Sequence, residues 1–188
     1  MPASLDLDPI FSGDWPPEIS DMEQGFAGAL NVYRTMAHHP ALLRAWSDLR
    51  AHIVTRSALG PALLEVVILR TGFRLGSEYE WSHHVLRGRE AGLSDARIAA
   101  LRGDPGEMDD ADACLARAVD ELFDGSQLSD ATSREVVDLV GRPGLLDLMA
   151  TVGFYSTLGF ILNTAQTPLD AAAARALDAA PLADTTTS

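Results

Sequence analysis

A single cysteine, Cys114, in a chain of 188 residues leaves no intrachain disulfide and no cysteine-type zinc site to be made. Basic side chains are also scarce. Lys and Arg total 14 against 27 Asp and Glu, a formal charge of −13, and no basic run offsets it. A surface of that sign repels phosphate backbones and anionic headgroups, so nucleic acid and membrane surfaces are set aside as partners. The opening residues Met1-Pro2-Ala3-Ser4-Leu5-Asp6 lack the basic and apolar regions of a secretory signal. With so little cysteine, a cytoplasmic location is expected. Glycine-rich phosphate loops, the His-Glu-x-x-His zinc pattern and the Gly-x-Ser-x-Gly elbow are missing too, so a site without metal or cofactor is expected. The longest apolar window, Gly144 to Ala165, is interrupted by Asp147 and by Gly, Ser, Thr and Asn. That pattern suits a buried helix better than a membrane span.

What is present fits one soluble domain. Hydrophobic residues make up 47% and charged residues 22%, and the length can bury a core without staples. Residues 1–20 hold four of the ten prolines and read as an extended arm anchored by Trp15-Pro16-Pro17. Residues 21–180 read as a helical domain and residues 181–188 as a disordered tail. Within the domain, apolar spacing predicts a helix from about Asp21 to Ala37, ended by His38-His39-Pro40. A second is predicted over 41–56, with Leu42, Leu43, Trp46, Leu49 and Ile53 inward. Residues 62–75 satisfy either a buried strand, through Val66, Val67 and Ile68, or a buried helix. Length, the leading Pro61 and the lack of a partner strand favour the helix. Ser77-x-x-Glu80 has the form of a capping box opening a helix to about Ala91, closed by Gly92. Shorter helices follow over 94–101, 111–123 and from Asp130 to near Gly141. The apolar helix 144–164 and an Ala-rich segment, 169–180, complete the domain. The expectation is an all-α bundle of roughly eight helices.

Chemistry concentrates in Ser77-Glu78-Tyr79-Glu80-Trp81-Ser82-His83-His84. On a helix, residues four apart share a face, which pairs Glu80 with His84 and Tyr79 with His83. A carboxylate beside an imidazole can fix its tautomer and move protons. The bland alternative is that Glu80 only closes the capping box and His84 is a hydrogen-bonded core histidine. Glu65 lies in the apolar run 63–69, where an unpaired carboxylate is costly. It needs His84, which would make a Glu65–His84–Glu80 relay, or a structural ion pair with Arg70 or Arg74. Tyr79, His83 and Ser77 could orient a substrate, and Arg70 or Arg74 could hold its carboxylate. Tyr155 and Asn163 are further polar candidates on the apolar helix. Glu80-Trp81-Ser82-His83 matches the Glu-x-x-His spacing of carboxylate di-iron bundles, but the second copy those sites need is missing. Cys114 reads as a small buried apolar residue rather than a nucleophile.

The segments Asn31-Val-Tyr-Arg-Thr-Met-Ala-His-His-Pro40, Glu65-Val-Val-Ile-Leu-Arg70, Gly76-Ser-Glu-Tyr-Glu-Trp-Ser-His-His84 and Gly153-Phe-Tyr-Ser-Thr-Leu-Gly-Phe-Ile-Leu-Asn163 resemble the carboxymuconolactone decarboxylase family, within the alkylhydroperoxidase D-like superfamily. The resemblance covers roughly residues 15–168. It implies an all-helical fold, a small-molecule substrate and a homo-oligomer (dimer, trimer or hexamer). The superfamily's peroxidase branch carries Cys-x-x-Cys-x-x-x-His with an upstream glutamate. Here those cysteines fall on Ser77 and Glu80, the histidine on His84 and the glutamate on Glu65. Without both thiols, dithiol chemistry cannot run there. The resemblance therefore implies the decarboxylase branch, with Glu65, Glu80 and His84 as an acid–base set acting on a small oxygenated acid or lactone. A peroxide-handling protein using Cys114 with another protein's thiol, and a catalytically silent binding module, are the alternatives.

Overall fold

The computed structural model describes residues 5–182. Nine α-helices are assigned among them: α1 (Phe26–Ala29), α2 (Asn31–Met36), α3 (Pro40–Arg56), α4 (Gly60–Arg74), α5 (Glu78–Glu90), α6 (Asp95–Ala100), α7 (Asp110–Gly125), α8 (Asp130–Ala165) and α9 (Ala171–Ala179). No strand occurs among the described residues, and the all-α architecture is as expected. The tail from residue 183 on lies outside them.

Helix α4 is the axis of the bundle. It packs against α5, α7 and α8, and every residue from Leu64 to Gly72 is buried. A helix covered on all sides needs apolar residues all round rather than one stripe. That is why its sequence also satisfied a buried strand. At its C-terminal end Gly76 adopts φ +59, a left-handed conformation cheap only for glycine. The amide of Gly76 bonds to the Phe73 carbonyl and that of Ser77 to the Gly72 carbonyl. This closure turns the chain back, so α5 runs antiparallel along α4 and brings residue 84 opposite residue 65.

The N-terminal region departs from expectation. The single helix anticipated over 21–37 is a 3₁₀ segment, Pro17–Met22, followed by α1 and α2, with Leu30 between them extended at φ −127, ψ 138. The break is held from outside. Asp170 accepts from the Asn31 amide at 3.0 Å, and the Tyr79 hydroxyl accepts from the Val32 amide at 3.2 Å. Two amides at the start of α2 that a continuous helix would satisfy internally are thus satisfied by distant side chains. Ahead of it, Trp15 is buried and its Nε1 donates to the Ile10 carbonyl. In α3, Leu43 and Ile53 are buried, but Leu42 and Leu49 are exposed, so its inward stripe is narrower than expected.

The apolar 144–165 segment is the second half of α8. This helix breaks at Gly141 (φ 72, ψ 174), two residues before Pro143. By length and composition α8 could cross a membrane. Its inner face, including Leu148, Thr151, Phe154, Tyr155, Leu158 and Leu162, is buried in the bundle.

Candidate functional site

The hairpin of α4 and α5 brings Glu65, Glu80 and His84 together. Glu65 Oε2 lies 2.6 Å from His84 Nδ1, and Glu80 Oε2 lies 3.5 Å from His84 Nε2. All three residues are buried, with His84 and Glu80 each 3% exposed. A carboxylate only accepts, so the short contact to Glu65 places the proton on Nδ1 and leaves Nε2 with its lone pair. The longer contact on the other side leaves that lone pair toward Glu80 without a close bond. Tyr155 of α8 sets its ring edge against the imidazole, with centroids 5.0 Å apart and planes at 90°.

Burial controls the protonation states. It pushes the Glu80 carboxyl up to about 8, with the nearby Glu65 charge adding and the Arg87 charge opposing. Burial pushes His84 below its ordinary value of 6.5, against the pull of Glu65. Near neutrality the imidazole is therefore a neutral base, and Glu80 beside it is a protonated acid. Tyr155 is held well above the ordinary phenol range, first by burial and then by the Glu80 charge. Two atoms here lack hydrogen-bond partners, Glu80 Oε1 and Ser77 Oγ. Ser77 stands at the N-cap position of α5, but its hydroxyl caps nothing. The expected capping box is therefore not formed, which removes the structural explanation for Glu80.

A small cavity adjoins the cluster, lined by Tyr33, Tyr79, Glu80, His84, Arg87 and Tyr155 among others. Its volume of about 20 Å³ suffices for a water molecule but not for a substrate of several carbons.

The remaining expected residues divide. Tyr79 and His83 line the cavity but spend their polar atoms elsewhere. Tyr79 donates to Asp170 Oδ2 at 2.5 Å, and His83 Nε2 meets the same oxygen at 2.9 Å. Burial and the Asp170 bond push the Tyr79 phenol up. Burial pushes Asp170 the other way from its partners, but the bonds from His83 and Tyr79 hold it below the ordinary carboxylate value. This second cluster ties α5 to the start of α2 and the N-cap of α9. It also separates His83 from Glu80, so the Glu-x-x-His pair does not converge.

Arg70 and Arg74 are not at the site. Arg70 donates to both Asp120 oxygens and to the carbonyls of Leu101 and Gly103. Arg74 pairs with Asp120 and Asp124. Their donors face α7 and the 101–103 loop, so the expected hold on a substrate carboxylate is not available to them. Asn163 is exposed, and its side chain bonds to the Leu75 carbonyl. Cys114 is buried on α7, its thiol pushed up by burial. It lines a different cleft, with Asp110, Arg117, Glu135 and Asp138. Residues the sequence reading passed over are Arg87, Tyr33 and Asp170. Arg87 was findable, being three residues past His84 and seven past Glu80 on one helical face.

Residues 40–121 match the model of the carboxymuconolactone decarboxylase family, a span that holds Glu65, Glu80 and His84. Two solved structures share the fold. One is a cysteine-to-alanine form of the debrominase Bmp8 in complex with 2,3,4-tribromopyrrole. It is 18% identical, with a TM-score of 0.69, and the match covers 94% of this chain and 99% of that one. The other is the same debrominase without ligand, also 18% identical, with a TM-score of 0.68 and coverage of 93% and 97%. No curated protein sequence matches.

Proposed function

We propose that this chain, whose residues 40–121 match the carboxymuconolactone decarboxylase family, is a cofactor-independent acid–base enzyme acting on a small oxygenated acid or lactone. The observation that carries this reading is the buried row Glu65–His84–Glu80. Its asymmetric contacts of 2.6 and 3.5 Å leave a neutral base and a protonated acid side by side. In an isomerisation, His84 Nε2 removes a proton from a carbon next to a carbonyl, and the electron pair moves onto the carbonyl oxygen as an enolate. Glu80 then delivers its proton to the conjugated carbon. The imidazolium returns its proton to the Glu80 carboxylate, and both groups regain their starting states. In a decarboxylation the carbon–carbon bond breaks, carbon dioxide leaves, Glu80 protonates the enolate carbon left behind, and a proton from water restores the Glu80 carboxyl. Glu65 touches no reacting atom. It orients His84 and stabilises the imidazolium, the part an acidic partner plays in other acid–base sites.

The test is deuterium exchange and carbon dioxide release over a panel of small β-keto acids and γ-lactones, followed by NMR. Wild type should turn over at least one class, with His84→Ala and Glu80→Gln slower by about 10²–10⁴-fold. Equal rates in all three proteins would remove the mechanism. A thiol reading gains no support, because no residue lining the Cys114 cleft also lines the cavity beside His84. The debrominase activity of Bmp8 stays with that protein, since 18% identity shows a shared fold alone.

A further inference from the structure

The cavity at His84 is too small for a substrate, but a larger space adjoins it. A cleft of about 480 Å³ opens between α3, α4 and α5, lined by Arg50, Val54, Pro61, Leu64, Glu65 and Arg87 among others. That volume lies in the range of small-molecule sites. Arg87 lines both the cleft and the cavity, so its side chain stands in the wall between them.

Arg87 is unusual in this molecule. Every basic residue of the chain is an arginine, and carboxylates outnumber them 27 to 14. The other half-buried or buried arginines all have acceptors. Arg34 bonds to Asn31 and the Gly28 carbonyl, and Arg50 to the Tyr33 hydroxyl. Arg70, Arg74, Arg89, Arg97 and Arg117 are paired with carboxylates. Arg87 is half-buried and has no hydrogen bond or ion pair among the described residues. A guanidinium presents five donors in a planar fork suited to a carboxylate. Half-buried and without a protein acceptor, Arg87 keeps these donors free for a ligand that displaces water from them. Arg50 adds a second cation to the cleft, with its guanidinium stacked 4.1 Å over Phe26 and bonded to Tyr33. The cleft also holds two acids, Glu65, whose Oε2 is taken by His84, and Glu90 on the exposed rim. An anion is therefore held there by the guanidinium donors rather than by an excess of positive charge.

We propose that the ligand of this site is a small carboxylate that docks in the α3–α4–α5 cleft with its anionic group on Arg87, Arg50 serving as the second cation. As a statement about substrate, this rests on the acid–base reading above. Pairing with the anion draws the Arg87 guanidinium toward the cleft and out of the wall, which joins the cleft to the cavity at Glu80 and His84. It also neutralises the one cation that pulls the Glu80 proton off. A carboxylate ligand thus opens the site and keeps its acid charged with a proton, and a neutral ligand does neither.

The test is calorimetric or NMR titration with benzoate, with acetate as a smaller probe and benzamide as the uncharged isostere. Wild type should bind at least one of the two anions, with an affinity that falls as salt rises, and benzamide at least about tenfold more weakly than benzoate. Arg87→Gln should weaken anion binding about tenfold or more, and Arg87→Lys should recover part of it. Equal binding of benzoate and benzamide, unchanged binding in Arg87→Gln with a native circular dichroism melt, or no binding of either anion to wild type would overturn the proposal. The two readings fail separately. Anion binding that depends on Arg87, with no exchange activity lost in His84→Ala, would keep this site and discard the acid–base mechanism.

Discussion

Replacing Glu80 by glutamine gives a stability signature that depends on burial of this one carboxyl. In the folded protein Glu80 titrates at about 8 against an ordinary 4.5, chiefly because burial penalises its charge. The unfolded chain therefore releases this proton first as pH rises. The stabilisation is complete below pH 4.5, declines as pH climbs, and is gone once the folded carboxyl ionises above 8. Between those values the loss is about 1.4 kcal/mol per pH unit, which integrates to about 4 kcal/mol from pH 5 to pH 9. Glutamine keeps the shape and cannot ionise. Other groups bend the absolute curves. His84 is depressed, so its contribution is present above 6.5 and lost as pH falls through its folded value. Groups far from Glu80 contribute equally to both proteins and cancel in the difference, and His84, which touches Glu80, is neutral in both above pH 6.5, where most of the window lies. Urea unfolding at pH 5, 6, 7, 8 and 9 gives each stability by linear extrapolation. Relative to wild type, Glu80→Gln should gain about 4 kcal/mol between pH 5 and pH 9. Parallel curves, differing by less than about 1 kcal/mol over that window, would show that water reaches Glu80 freely and that it is not a stored acid.

Three further perturbations separate working parts from scaffold. Glu65→Gln removes the acceptor that fixes the His84 proton on Nδ1, so exchange or decarboxylation should fall by about 10–100-fold, and nitrogen NMR of His84 should show mixed tautomers. Arg70→Ala leaves Asp120 and two loop carbonyls without their donor. It should cost about 3–5 kcal/mol in chemical denaturation yet leave benzoate affinity unchanged in folded protein. Tyr79→Phe deletes a buried bond to Asp170 and the acceptor of the Val32 amide. It should cost about 1–3 kcal/mol and speed hydrogen exchange at Val32 relative to the amides of α4.

Sequence periodicity carried the fold where partners are local. Glu80 and His84 share a face because they are one helical turn apart, and Glu65 reaches them because Gly76 reverses the chain between two helices of similar length. The apolar setting of Glu65 demanded a partner, and the short bond to His84 is that partner. What failed depends on residues far along the chain. Arg70 looked available until Asp120, fifty residues on, is seen to hold it. Tyr79 and His83 shared a face as expected, but Asp170 lies 91 and 87 residues away and takes both. The same aspartate holds the break at Leu30, which no local propensity announces, since Asn31 to Ala37 continues a helical spacing. The volume beside His84 also escaped prediction, because it depends on how α2 and α8 close over α5.

The charges of the cluster lead to one more measurement. With His84 neutral and Glu80 protonated, Glu65 carries the only charge of the buried row. Arg87 is the nearby cation, although the two form no ion pair. An arriving carboxylate takes the influence of that cation away, and the cluster becomes more anionic in a buried setting. The inexpensive response is to take up a proton, and Glu80, poised at about 8, is the group able to do so. Benzoate binding should therefore be accompanied by proton uptake of up to about half an equivalent near pH 8, vanishing toward pH 6 where Glu80 is already protonated. Calorimetry in buffers of different ionisation enthalpy reads this number directly. Glu80→Gln should bind benzoate with no uptake at either pH. Uptake that is zero at pH 8 in wild type, or unchanged in Glu80→Gln, would break the link between Arg87 and the acid and leave the cleft a binding site unconnected to the row behind it.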